Sequence, residues 1–418
     1  MWLDPAGACT DDMQRPASAY CSAMVYTPAG PHCLGSARHV MPLLPLLPRI
    51  FSMSRLFSPF QLKGVTLRNR IAVPPMCQYS AVDGVPNAWH LAHYTGLARG
   101  GAGLVIVEAT GVSAEGRITP GCLGLWNDAQ ADALAPIAAA IAETGAVPGI
   151  QIGHAGRKAS ANLPWEGDDH MAEDDARGWP TLAPSASAFG GGLSKLPQEM
   201  TLDDIKRVQA DFVSAAERAR DAGFKWLELH FAHGYLAQSF FSAYSNQRDD
   251  AYGGSFDNRA RFLLETVAAV RAVWPAELPV TARMGLIEYD GRDEETLKES
   301  IALISRFKDA GLDAIDVSVG FSTPKAQIPW GPNFLAETAA RVQTETGLPT
   351  STSWFISDAE QADALIQSGK TDLVMLARPL LADPHWPYAA AKTLGIENPA
   401  WATLPPPYAH WLARYRTS

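Results

Sequence analysis

From Met53 onward, short apolar runs alternate with longer stretches in which apolar side chains recur every three or four positions. The short runs are Arg70–Pro74, Gly103–Ala109, Val147–Ile152, Trp226–His230, Val280–Met284, Ala314–Val319, Thr350–Ser353 and Leu373–Ala377. Their length and β-type composition predict strands. The longer stretches, among them Asp204–Ala222, Asn258–Trp274, Glu294–Ala310 and Ala359–Ser368, predict amphipathic helices. In Asp221-Ala222-Gly223 and Asp309-Ala310-Gly311 a glycine stands where such a helix would stop before the next strand. Eight strand–helix units predict a (β/α)8 barrel. An open, doubly wound sheet shares the same alternation, so the motifs must separate the two.

Two stretches break the rhythm. Gly153–Glu199, between the third strand and the next helix, is rich in Gly, Pro, Trp and Asp. A segment that long without its own periodicity predicts a lid over the C-terminal mouth of the barrel, with a decorative surface insertion as the alternative. Residues 1–52 mix Pro, Gly, Ala, Ser and Cys without either period. They predict a poorly ordered extension, with the barrel occupying 53–418, a C-terminal tail after its eighth unit, and Met53 as the start of the folded chain.

Composition narrows the class. Hydrophobic residues make up 47% and charged residues 19%, a globular balance. A net charge of −10 disfavours nucleic acid and anionic membrane as partners. The apolar stretch Val40–Pro48 is short and interrupted by prolines, so no membrane span is expected. Five cysteines without a C-x-x-C pair support neither a zinc ribbon nor an iron–sulfur site. Such sparse usage fits a reducing cytoplasm.

The densest chemical signal is His230-Phe231-Ala232-His233-Gly234-Tyr235, which leaves a strand where barrel enzymes carry catalytic side chains. Two histidines three apart could chelate zinc, but no third ligand of the right kind is near in sequence. Satisfied histidines in a polar loop are the bland alternative. The third reading is an electrophilic clamp, with two imidazoles donating to one carbonyl oxygen and a phenol supplying a proton. Cys77, in Pro75-Met76-Cys77-Gln78-Tyr79, reads as a nucleophile, a small buried hydrophobe or a cofactor contact. Arg283, among apolar residues of the fifth strand, calls for an anion or an electron-rich ring. Arg378, after the eighth strand, occupies the usual phosphate position of such barrels. Gly100-Gly101-Ala102-Gly103 precedes its strand, the reverse of a dinucleotide fingerprint, so a nicotinamide would bind transiently over another cofactor.

Together these motifs, with Gln151 in Gly149-Ile150-Gln151, Ser245-Asn246, Tyr252-Gly253-Gly254-Ser255 and Asn258-Arg259, resemble the Old Yellow Enzyme family, in its bacterial xenobiotic-reductase-like branch. The resemblance runs from about Met53 to the end. It implies a noncovalent FMN at the barrel mouth and NADPH or NADH as hydride donor. It implies that Gln151 and Arg283 hold the pyrimidine edge and that Pro75, Met76, Cys77 and Ala109 line the ring, Cys77 adjusting its potential. It further implies that Ala377 and Arg378 lie at the phosphate, that His230 and His233 polarise a substrate carbonyl, and that Tyr235 is the proton donor. Tyr79 and Trp354 would shape the substrate pocket. Trp411 would reach into a partner subunit, which implies a homodimer or dimer-based oligomer. Two positions depart from the family pattern. Phe355 follows Trp354, and Ala377 precedes Arg378, where the family carries glycine. Both predict looser phosphate contacts and weaker flavin retention.

The function expected is therefore FMN-dependent reduction of an activated C=C bond in α,β-unsaturated carbonyl or related xenobiotic compounds. A metal-dependent barrel hydrolase built on the histidines, and a barrel that only binds a ligand, are the alternatives. No metal is expected.

Overall fold

The computed structural model describes residues 54–415; the expectations for residues 1–52 lie outside them. Eight parallel strands form a closed barrel: β1 (Ile71–Val73), β2 (Leu104–Gly111), β3 (Val147–Gly153), β4 (Trp226–Phe231), β5 (Val280–Ile287), β6 (Ala314–Val319), β7 (Thr350–Thr352) and β8 (Leu373–Met375). Each pairs with its neighbour in the chain, and β8 returns to β1 through Val374 opposite Ile71. Closure excludes the open-sheet alternative. One outer helix follows each strand: α1 (Ala88–Arg99), α2 (Asp128–Glu143), α3 (Leu202–Asp221), α4 (Phe256–Val273), α5 (Asp293–Asp309), α6 (Ala336–Thr346), α7 (Ala359–Gln367) and α8 (Trp386–Thr393).

Local chemistry sets these boundaries. Thr201 caps α3 in a reciprocal box with Asp204, satisfying main-chain donors that the first turn leaves open. At the other end Gly223 takes φ 95°, the left-handed geometry expected of it. Inside the barrel, polarity is graded along the axis. At the N-terminal end Ala72, Leu104, Ile106, Trp226, Leu373 and Met375 pack with Phe60, Val65 and Leu67 of a hairpin, Phe60–Leu62 against Val65–Leu67. That apolar plug seals the bottom. Burying each large side chain there contributes about 1.5–3 kcal/mol. Polar side chains are left for the other end.

The segment after β3 is more ordered than a bare loop. It holds 3-10 turns at Gly156–Lys158 and Pro164–Glu166 and a short parallel pair, Leu182–Ala183 with Gln198–Glu199. Its middle is anchored: the Arg117 guanidinium lies 5.3 Å from the Trp126 ring centre and 4.9 Å from that of Trp179. The Trp179 indole N–H also donates to the Glu115 carbonyl at 3.0 Å. Nearer its start, exposed Trp165 meets the Tyr79 ring edge-on at 6.1 Å. Beyond β8 the tail adds short helices Arg378–Ala382, Pro399–Thr403 and Pro406–Leu412 around α8. Among the described residues no helix is long and apolar enough to cross a membrane.

Candidate active site

Side chains alternate in and out along a strand, so Trp226, Glu228 and His230 of β4 share the inner face at rising height. Trp226 belongs to the apolar plug and His230 reaches the mouth. His230, His233 and Tyr235 come together there. The imidazole centres are 4.9 Å apart, and the Tyr235 ring lies 5.0 Å from His230 and 6.3 Å from His233. The chain turns sharply to achieve this, with His233 at φ 63° and Gly234 at φ 66°. A Cβ on Gly234 would strike the Phe321 carbonyl oxygen and the Lys158 side chain, so only glycine fits.

The protonation states follow from burial. Both imidazoles are held well below the ordinary histidine range, first by desolvation and then by the charges of Arg283 and Lys158. They are neutral at working pH. The Ala232 N–H points at His230 Nδ1 from 3.4 Å, which leaves the proton of His230 on Nε2. His233 Nε2 lies 2.8 Å from the Ser318 hydroxyl, which fixes its ring. Burial pushes the Tyr235 phenol well above its ordinary value, so it remains a proton donor. The Cys77 thiol is likewise pushed well up by desolvation, then by Cys122 and Glu108. It is a neutral thiol, not a thiolate nucleophile.

Beneath this cluster lies a polar layer. Gln151 Nε2 donates to Glu228 Oε1 at 2.9 Å, and Arg283 Nε lies 3.2 Å from Asp316 Oδ2. Arg283 also donates to the Ser353 hydroxyl at 3.2 Å. On one flank, Pro75, Met76 and Cys77 past β1, and Ala109 near the end of β2, are partly exposed although the strands below them are buried. Their loop is pinned because the Gln78 N–H donates to the buried Glu108 carboxylate, which also accepts from the Tyr94 hydroxyl at 3.1 Å. On the other flank Trp354 joins Phe321, Trp330 and Phe334 in an aromatic group, and Phe321 sits 5.7 Å from His233. A small cleft is lined by Ala109, Thr110, Cys122, His154, His230 and Tyr235, among others.

Most of the expected residues gather there, with three at the margin. Arg378 is exposed with its guanidinium 5.8 Å from the Phe355 ring, and Ala377 precedes it. Trp411 is exposed on helix Pro406–Leu412, its ring against His410. The sequence reading overlooked Lys158, Glu228, Asp316, Ser318 and Glu108. A charge in the middle of an apolar strand, as in Trp226-Leu227-Glu228-Leu229-His230, was the available signal for the acids. Among the described residues no group of three or more His, Cys, Asp or Glu could hold a metal ion.

Comparison with known proteins agrees with this geometry. The profile described as the NADH:flavin oxidoreductase / NADH oxidase family matches residues 55–397. The NADPH dehydrogenase of Geobacillus thermodenitrificans is 42% identical over 344 residues, covering 82% of this chain and 95% of that protein. That of Bacillus licheniformis is 40% identical over 352 residues, covering 83% and 98%. Among solved structures, morphinone reductase superposes with TM-score 0.69 at 28% identity, over 82% of this chain and 91% of that one. An old yellow enzyme homologue from Zymomonas mobilis gives TM-score 0.67 at 25% identity, over 87% and 99%.

Proposed function

Because this chain belongs to the NADH:flavin oxidoreductase / NADH oxidase family, we propose that it is an ene-reductase within the Old Yellow Enzyme group, reducing the C=C bond of α,β-unsaturated carbonyl or related xenobiotic compounds. The enzyme is an NAD(P)H oxidoreductase that uses FMN, and the name shared by its bacterial relatives favours NADPH as donor.

The residues suit a flavin. Gln151 offers an amide donor and acceptor, and Arg283 a guanidinium, on inner-wall strands to either side of β4; these groups match the alternating polar edge of a pyrimidine. Pro75, Met76, Cys77 and Ala109 supply an apolar ledge beside them. The turn at Trp354 and Phe355, with Ala377 and Arg378, would hold the phosphate. Bound there, FMN would supply the hydride chemistry that links the nicotinamide donor to the alkene.

The protein's own contribution is polarisation and proton delivery. The observation that carries the proposal is the mutual contact of two neutral imidazoles and a neutral phenol at the end of β4. His230 Nε2–H and the His233 ring draw charge onto the substrate carbonyl oxygen, which makes the distant carbon electrophilic. The Tyr235 hydroxyl protonates the carbon beside the carbonyl. Tyr79, Trp165 and the aromatic group around Trp354 wall the pocket and exclude water. Exposed Trp411 serves as a contact to a second copy in a homodimer.

The test is NADPH oxidation under anaerobic conditions with cyclohexenone as acceptor. Acceleration by the enone, lost in Tyr235→Phe and His230→Ala, supports the proposal. An enone that leaves the rate unchanged overturns it.

A further inference from the structure

Four side chains form the polar layer under the mouth, and each comes from a different strand. Gln151 on β3 faces Glu228 on β4 in register, and Arg283 on β5 faces Asp316 on β6. Gln151, Glu228 and Asp316 are each only 1% exposed and Arg283 6%. The two contacts differ in kind. Asp316 has a cation beside it, Arg283 Nε at 3.2 Å, and accepts from the Ser351 hydroxyl at 3.0 Å. Glu228 has only the neutral Gln151 amide at 2.9 Å.

Charge arithmetic makes this layer unusual. Two carboxylates against one guanidinium leave one negative charge without a partner in a buried site. An uncompensated buried charge costs several kcal/mol, and such a site keeps a proton instead. Asp316 is held ionised by its guanidinium more than Glu228 is by an amide, so the proton resides on Glu228. Consistent with this, burial and then the Asp316 charge push the Glu228 carboxyl up to about 8, against the opposing pull of Arg283 and Gln151. Asp316 is also raised by burial, with Arg283 and Ser351 opposing. These are the charged and titratable groups that face the pair from β3, β5, β6 and β7.

We propose that the Glu228–Asp316 pair is a proton store that couples proton uptake to the redox state of the flavin lying against Gln151 and Arg283. The inference rests on the assignment of those two residues to the pyrimidine edge. The balance is direct. Hydride transfer brings two electrons and one proton and adds one negative charge near Arg283. Above about pH 8, where Glu228 is a carboxylate in the oxidised enzyme, a solvent proton then binds it and cancels that charge, and reoxidation releases the proton again.

The measurement is the flavin midpoint potential of the holoenzyme against pH. One proton per two electrons corresponds to a slope of about 30 mV per pH unit. The proposal expects that slope to double above about pH 8, where Glu228 is ionised in the oxidised enzyme only. Glu228→Gln should keep the single-proton slope throughout. An undivided single-proton slope in the wild type, or a doubling that survives in Glu228→Gln, overturns the proposal. Infrared difference spectra of the wild type, oxidised minus reduced at pH above 8, give a reading without any variant. A protonated-carboxyl band gained on reduction is expected, and its absence counts against the store. FMN titration of Gln151→Leu separates the underlying assignment: unchanged affinity there would remove the assignment itself, whatever the slopes show.

Discussion

The buried ammonium of Lys158 donates to the main-chain oxygen of His233 at 2.7 Å, tying the segment after β3 to the catalytic turn after β4. The same group donates to the Phe321 carbonyl at 2.9 Å. Three loops are therefore held by one charge. Desolvation, followed by Arg157, lowers its pKa from 10.5 to about 7. Lys158→Met removes both hydrogen bonds and leaves two buried carbonyls without a donor. Misplacing reacting groups by about 1 Å costs roughly a hundredfold in rate, and a fall of about that size in kcat/KM for the enone is expected, with flavin content retained. The wild-type profile should show an alkaline limb near pH 7, where this ammonium loses its proton, and the variant should lack it.

Tyr235→Phe removes only a hydroxyl. Loss of a positioned acid lowers rates about 10²–10⁴-fold. The loss should fall on enone reduction measured by stopped flow, while reduction of the bound flavin by NADPH proceeds at its former rate. Because burial keeps the phenol protonated, its ionisation should contribute no limb to the pH profile below pH 10.

His230→Ala deletes one carbonyl donor. Removing such a donor costs about 3 kcal/mol of barrier, or roughly a hundredfold in kcat. Binding of phenols to the oxidised enzyme, followed by flavin absorbance, should weaken in parallel. An unaffected phenol affinity would place the ligand oxygen elsewhere.

Trp354 and Phe355 stand in succession at φ 75° and 52°, a left-handed geometry unfavourable for side-chain-bearing residues. Phe355→Gly relieves about 1 kcal/mol of this strain and opens space for main-chain N–H groups to approach a phosphate. That relief is common to the flavin-free and flavin-bound enzyme, so tighter FMN retention on dialysis is expected only from the opened main-chain approach to the phosphate. A weaker Kd would show that the Phe355 ring, packed beside Trp330 and Arg378, contributes more to binding than the opened space.

Acid should destabilise the fold through His154. Its Nδ1 accepts from the Gly156 N–H at 3.0 Å, and burial lowers its pKa from 6.5 to about 4. Below about pH 6.5 the unfolded chain binds a proton that the folded one refuses until about pH 4. Stability therefore falls as pH drops through that window, by at most about 3 kcal/mol from this group. Thermal unfolding of His154→Gln should show a shallower acid decline than the wild type.

Most of the fold was legible because barrel strands are short, apolar and separated by helices of a different period. The run Ala314–Val319 is a strand at the same residues in both readings, and Val147–Ile152 differs by one residue. The candidate cluster was legible because His230, His233 and Tyr235 fall within six residues. Lys158 was not, because its significance comes from carbonyls at His233 and Phe321 that lie far along the chain. Glu228 and Asp316 escaped for a related reason: a charge on an apolar strand announces a partner but not which strand supplies it. The order within the segment after β3 was hidden in side chain to main chain contacts that carry no periodicity.

The contacts of Arg117 with Trp126 and Trp179 anchor the middle of that segment separately from the turn that carries Trp165. A substitution at Trp165 would therefore reshape the rim above Tyr79 while this anchor stays in place.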